Sequence, residues 1–465
     1  EIASCLVGSE MCIRDRFESI DLFNGFMRIT YFVGILNFIL IIHFCLSWYF
    51  NCYRKGYYLD VWHGSLLFSY FITVLLFYPF MASQQLQIIK SNTPWNLSME
   101  YIDKAWFINV LGFCGVFLGG SICSIIRHNG IKIICKTCVK MTETCFYTMA
   151  KNENKFIVLF VINSIIASCL NLYAVEQSGS YFNLRVFFMT SGIFLALSNL
   201  FISVLQSVFF TVSLLLCYLS KKRYKYYWIY IWTVIIIVMY GGRSTLIFPV
   251  ITILFADVLY KGKNLSIKRY AVGFLIIVIL FFGMEWIRTD SNSTYITEST
   301  IVDRILFGNN VSDIRDFSII LENWDGEYLY GKNIIAGMIS FIPREYSDFR
   351  NQWNTSSYTN RIVGLRENHP GLRGGSFAES FLSFGYIGVF VWGIIYGFVL
   401  KSFDLISKAV DNKKHTQSII SIMAVLFTLE IFTNIWFHVS LMWLGYVRIL
   451  FLIGVYFILR IRIKA

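Results

Sequence analysis

Eight arginines punctuate the segment 288–379: Arg288, Arg304, Arg315, Arg344, Arg350, Arg361, Arg366 and Arg373. A guanidinium presents a rigid fork of N–H donors that matches phosphate or carboxylate, so the segment points to an anionic ligand. Groups able to move a proton lie between them. Asp313 and Asp316 flank Arg315, His369 precedes Pro370, and Glu379 closes the stretch. A carboxylate or imidazole in reach of a hydroxyl can serve as a general base. Each has a plainer reading beside it. Asp313 or Asp316 can simply pair with Arg315, and a loop histidine before proline is often structural.

Two arginines, Arg243 and Arg344, are placed by their neighbours. Gly241-Gly242-Arg243-Ser244 lies between two apolar runs. The glycines permit a tight turn, and a helix beginning there would set its positive end beside Arg243, an arrangement suited to an anion. The alternative is an interfacial arginine reaching to lipid headgroups. Ile342-Pro343-Arg344 follows 331–341, an apolar stretch too short to span. It reads as a re-entrant or interfacial helix stopped by proline, with Arg344 at membrane level.

The elements that must hold these groups are membrane helices. Hydrophobic residues make up 56% of the 465, and only 15% are charged, against about a quarter in soluble domains. The apolar residues fall in runs at 29–50, 64–81, 105–126, 156–174, 186–218, 228–240, 245–260, 270–287, 380–401, 419–435 and 439–459. Most approach the length of about 20 residues that crosses hydrocarbon as a helix. The expected fold is therefore an all-α polytopic membrane protein with about 11 transmembrane helices. The 228–240 and 245–260 runs are short and read as a hairpin about Gly241-Gly242.

Charge sets the orientation. The basic linkers 54–55, 127–155, 221–225, 261–269, 401–415 and 460–464 all fall on one side when the spans are threaded alternately. That side is cytoplasmic by the positive-inside rule. The opposite side receives 82–104, 175–185, 241–243, 288–379 and the turn at 434–438. Long loops translocate regardless of charge, so an arginine-rich loop is allowed outside, but its basic residues need another reason. Glu285, Glu430, His438 and Arg448 fall in the outer halves of their spans. Ionisable groups at membrane depth are costly and point to function. The net charge of +12 sits on these linkers; with no basic soluble domain, nucleic acid is excluded as a partner.

Residues 1–16 stand apart. Their CLVGSEMCIRDR portion resembles a translated sequencing-adapter read-through and is excluded from the fold, with one N-terminal helix expected to be missing. The chain then divides into N-terminal transmembrane helices at 17–287, an extracytoplasmic arginine-rich loop with short helices at 288–379, and C-terminal transmembrane helices at 380–465. Cys45, Cys114, Cys169 and Cys217 sit in apolar runs and read as small buried hydrophobes. The Cys135/Cys138 pair has no second pair, and no metal is expected.

The order GGRS, then SDIRDF, then GKN with FIPREY, then GGSFAESFLSFGYIG before a span resembles the Wzy-type O-antigen and oligosaccharide repeat-unit polymerases. The FGYIG portion, 384–388, reads as a helix section with small residues for close packing. The resemblance implies a bacterial inner-membrane glycosyltransferase. It would move a growing glycan from undecaprenyl diphosphate onto a new lipid-linked repeat unit, on the extracytoplasmic face. The donor and acceptor glycans, the membrane lipid and a chain-length co-polymerase are the implied partners, and no cofactor is implied. Arg243, Arg344 and Arg288 would hold the diphosphate, and Asp316, Glu379 or His369 would deprotonate the attacking hydroxyl. An O-antigen ligase shares the donor, and a transporter or flippase shares the substrate. Transporters tend to carry internal repeats and midplane polar residues, whereas the polar residues here gather toward the outer face.

Overall fold

The computed structural model describes residues 34–67, 69–70, 99–126, 130–189, 193–220, 224–261, 275, 313–342, 346–365, 371–372, 374–409, 415–439 and 442–460. Every regular element among them is helical. In chain order these are α1 (Gly34–Lys55), α2 (Val61–Leu66), α3 (Met99–Ile125), α4 (Gly130–Lys151) and α5 (Glu153–Ser178). They continue as α6 (Arg185–Met189), α7 (Ile193–Leu219), α8 (Tyr224–Tyr240) and α9 (Arg243–Lys261). The polar segment forms α10 (Asp313–Asn323), α11 (Lys332–Met338), α12 (Asp348–Trp353) and α13 (Thr355–Val363). The chain then runs through α14 (Gly375–Lys408), α15 (His415–Phe432) and α16 (Met442–Arg460).

Seven of these, α1, α3, α5, α7, α14, α15 with the π-helical turn after it, and α16, are long and apolar enough to cross a membrane. Their outward faces carry Ile35, Phe38, Ile162, Leu172, Ile387 and Leu450 in exposed positions, as lipid-facing surfaces require and water-facing ones do not tolerate. α8 and α9 are shorter apolar helices. The runs expected at 64–81 and 270–287 lie largely outside the described residues, as do residues 1–16.

The tightest contact in the bundle joins α3 to α14. A Cβ added at Gly115 would stand 2.4 Å from the Phe390 carbonyl oxygen, and one at Gly119 2.0 Å from that of Ile394. From the other side, a Cβ at Gly393 would meet the Gly112 carbonyl at 2.2 Å and one at Gly397 that of Val116 at 2.0 Å. The glycines let the two backbones touch, the small-residue packing that lipid-embedded helices use in place of a hydrophobic drive. The contacts advance together along both helices, so α3 and α14 run parallel. The charge-based threading sends both the same way.

A polar seam joins α5, α7 and α8. Asn163 donates to Gln206 Oε1 at 2.6 Å and to the Phe201 carbonyl at 3.1 Å. Gln206 donates to Ser164 and Thr233 at 3.1 and 3.0 Å, Trp232 to Ser168 at 2.9 Å, and Asn171 to the Ile236 carbonyl at 2.9 Å. Phe201 belongs to the π-helical turn Asn199–Leu205 inside α7, whose wider winding displaces carbonyls from their usual donors. Such bonds in a membrane contribute about 0.6 kcal/mol each. Residue numbers rise together on α5 and α8 and oppose each other on α5 and α7, as alternate threading requires.

The basic linker 127–155 holds a helix rather than a loop. α4 carries Lys132, Lys136, Lys140 and Lys151, yet Cys135, Val139, Thr142, Phe146 and Met149 recur at helical spacing and are buried. That face packs on α14, α15 and α16, with Phe146 edge-on to Phe427 and Thr428 donating to Thr142 at 3.0 Å. Cys45 and Cys169 are exposed and Cys114 and Cys217 half-buried, a correction to their reading as buried hydrophobes. Cys114 and Cys217 nonetheless pack against the core. His43 is also exposed, edge-on to Phe117.

Candidate active site

The polar segment folds down onto the membrane helices. α10 begins with Asp313 and Asp316 in its first turn, where carboxylates oppose the positive end of the helix dipole. It buries Ile314, Phe317, Ile320 and Leu321 against α3 and α14. Phe317 meets Phe381 at 5.9 Å between ring centroids, and Trp324 and Tyr328 stack edge-on against the same ring.

The attachment to α14 is made of backbone. Gly385 has φ 65° and ψ −156°, which breaks α14 inside its span. Glycine alone takes this conformation without strain. The Leu329 and Tyr330 N–H groups donate to the Leu382 and Ser383 carbonyls at 2.8 and 3.0 Å. The FGYIG section is therefore a break sealed by the loop, with Gly385 close against Tyr328. The backbone-to-backbone packing lies at Gly393 and Gly397, about two and three turns beyond Gly385.

Glu379, in the first two turns of α14, is only 6% exposed. Its Oε2 accepts from the Val439 N–H at 2.8 Å, in the turn between α15 and α16. Asn333 of α11 donates to the Glu379 carbonyl oxygen at 3.3 Å and accepts from the Ser383 hydroxyl at 2.5 Å. Gly337 of α11 lies against Val439 and Met442, so this seven-residue helix rests on the start of α16 without crossing anything. The neighbouring His438 is held by burial down to a pKa of about 4, neutral at ordinary pH.

Asp316 is equally buried, but its Oδ1 is taken by the adjacent Arg315, at 3.1 Å from Nε and 2.8 Å from Nη2. The plainer reading of that cluster, an internal ion pair, is what the geometry contains. Asp316 and Glu379 flank the same α10–α14 junction, yet no hydrogen bond joins them among the described residues. Arg243 is the first residue of α9, directly after the Gly241-Gly242 turn. That turn lies against Asn183, and the Leu184 N–H donates to the Met239 carbonyl at 3.1 Å, so the hairpin expected around it is present. The Arg243 side chain, Arg288, Arg344 and His369 lie outside the described residues.

No family model, curated protein or solved structure matches the chain.

Several arginines of the polar segment have structural partners. Arg315 holds Asp316, Arg350 donates to the Ile342 carbonyl, and Arg361 lies over the Trp353 and Tyr358 rings at 5.7 and 5.6 Å. A different arginine has donors to spare. Arg448, on α16, pairs with Glu430 of α15 through Nη2 at 2.6 Å, while its Nε and Nη1 are buried with no hydrogen-bond partner among the described residues. Two buried guanidinium nitrogens with three unpartnered N–H groups are costly unless a ligand receives them. In the sequence Arg448 is only an ionisable residue in an outer half-span. Its adjacent free donors became visible once Glu430 was seen to use one nitrogen alone.

Proposed function

We propose that this chain is an integral-membrane glycosyltransferase that polymerises undecaprenyl-diphosphate-linked oligosaccharide repeat units. In this reading about 11 spans, some of them short, carry the polar segment on the extracytoplasmic face of a bacterial inner membrane. The observation that carries the proposal is Arg448, a half-engaged guanidinium buried among apolar helices. Its two free donors suit a phosphate held at membrane depth, where a polyprenyl carrier must keep its headgroup.

The chemistry follows from the groups available. The bond between the anomeric carbon of the donor glycan and the diphosphate oxygen breaks, and the acceptor hydroxyl oxygen forms the new glycosidic bond. The hydroxyl proton passes to a carboxylate, with Glu379 and Asp316 the described candidates. Negative charge gathers on the departing diphosphate, and Arg448 together with Arg243, Arg344 and Arg288 would stabilise it. Neither a nucleotide sugar nor a cofactor enters the balance. The donor and acceptor glycans are the partners required, and a chain-length co-polymerase is compatible with them.

One observation favours a second reading. Broken helices mark substrate sites in transporters, and α14 is broken at Gly385. Incubating the purified protein with lipid-linked repeat unit alone separates the two. Polymer ladders, lost in Arg448→Ala, Arg243→Ala and Arg344→Ala, support the polymerase. Unit moved across a vesicle membrane without any glycosidic bond formed would establish the transporter instead.

A further inference from the structure

At the opposite end of α14 from the polar segment, three side chains of different chemistry converge. Cys52 lies in the last turns of α1, Asp60 caps α2, and His63 sits in the first turn of α2, a C-x7-D-x2-H spacing. Cys52 and His63 are fully buried and Asp60 is 5% exposed. The Cys52 Sγ lies 3.3 Å and the Asp60 Oδ1 2.7 Å from one and the same atom, His63 Nδ1. One donor atom from each residue falls within 4.8 Å of the other two.

This is not the geometry of a nucleophile with its base. A catalytic His faces the nucleophile with one ring nitrogen and its orienting carboxylate with the other. Here both contacts share Nδ1, and the far nitrogen, Nε2, is 3.2 Å from the Ser47 hydroxyl. At 2.7 Å from a carboxylate oxygen, Nδ1 carries the ring proton before metal binds. A metal would take that nitrogen once the proton has shifted to Nε2, where the Ser47 hydroxyl receives it. The second Asp60 oxygen accepts from Lys408 at 2.7 Å, while Oδ1 caps α2 by accepting the His63 backbone N–H at 2.7 Å and faces the ring. Lys408 also donates to Asp404 at 2.9 Å, and Lys401 donates to Asp404 at 2.7 Å. The two carboxylates and two ammonium groups therefore balance.

We propose that Cys52, Asp60 and His63 form a binding site for a zinc-class divalent cation. One sulfur, one imidazole nitrogen and one carboxylate oxygen make a donor set that zinc takes, with bonds of about 2.0–2.3 Å. Tetrahedral placement on such bonds separates the donors by about 3.4–3.6 Å. The sulfur–nitrogen pair is already close to this, and the nitrogen–oxygen pair opens by about 0.7 Å. Binding forms three metal–ligand bonds and releases the thiol proton to water. The ion clips the end of α1 to the start of α2 and, through Lys408, to α14. The site is independent of the polymerase proposal.

The test uses the full chain in detergent, purified on a tag free of histidine and cysteine, stripped with chelator and titrated with Co²⁺ as the spectroscopic probe. One equivalent should bind with a thiolate-to-cobalt charge-transfer band that Zn²⁺ abolishes. Cys52→Ser, nearly isosteric, should eliminate the band, and Cys45→Ser should keep it. Ser47→Ala should weaken binding about 10–100-fold, as loss of a ligand's orienting partner does. Wild-type protein that is monodisperse yet shows no such band, or a Cys52→Ser variant that retains it, would overturn the proposal.

Discussion

Alanine at position 119 is the most exacting probe of the fold. The added Cβ would stand 2.0 Å from the Ile394 carbonyl oxygen, 2.8 Å from its carbonyl carbon and 2.9 Å from its Cα. All three are backbone atoms of a long helix and cannot swing aside. Non-bonded heavy atoms settle near about 3.5 Å, so α3 and α14 must part by more than about 1 Å locally, enough to forfeit a quarter to a half of the dispersion in nearby pairs. Overpacking of this kind costs about 1–3 kcal/mol. The control is Gly454 of α16, where a Cβ meets nothing within 4 Å and alanine should gain about 0.5–1 kcal/mol from helix propensity. The two substitutions should thus differ by about 1.5–4 kcal/mol, at least tenfold in the unfolding equilibrium. Reversible unfolding in mixed micelles, followed by tryptophan fluorescence, measures the difference. Gly119→Ala combined with Gly397→Ala should cost less than the sum, because helices already parted for one methyl admit the other. Equal stability of Gly119→Ala and Gly454→Ala would refute the backbone contact.

Other outcomes follow from the site. Glu379→Gln keeps an acceptor for the Val439 N–H and should fold normally while losing polymerisation; full activity in a ladder assay would remove Glu379 as the base. Arg448→Lys should fold but polymerise poorly, since an ammonium cannot keep Glu430 and also offer a forked pair of donors to phosphate; unimpaired ladders would count against that role. Arg315→Ala removes the paired cation from the buried Asp316 carboxylate and should destabilise by about 3 kcal/mol, with Asp316→Asn in the same chain recovering part of it; denaturation of the two variants checks this. The His438 pKa is lowered by burial to about 4, so its contribution to stability is complete above the unfolded value of about 6.5 and is lost as pH falls from there toward 4. A pH series of melting temperatures should show that loss in wild type and lack it in His438→Phe.

Much of the bundle is legible in sequence because a span must be both long and apolar, and both properties survive without tertiary information. The Gly241-Gly242 turn is legible for a similar reason, since its chemistry is local. What resisted reading is what depends on a partner. The spacing of Gly112, Gly115 and Gly119 is plain, but which helix approaches them depends on Gly393 and Gly397 far along the chain. α4 was hidden by its own lysines, whose positive charge suggests a solvated linker even though Val139, Phe146 and Met149 trace an apolar stripe. Asp316 and Glu379 look alike as loop-edge carboxylates; only the fold gives one to Arg315 and the other to a backbone N–H. Cys52, Asp60 and His63 carry no familiar spacing, and their convergence depends on the chain turning back between α1 and α2.

The bonds from Leu329 and Tyr330 to the broken stretch of α14 set a limit on motion. Withdrawing that piece of loop would strand two carbonyls inside a span, and each unsatisfied backbone group in hydrocarbon costs several kcal/mol. Two such losses hold the detached form below about one molecule in a thousand. The segment at 329–330 therefore behaves as a keystone of the membrane bundle and not as a door.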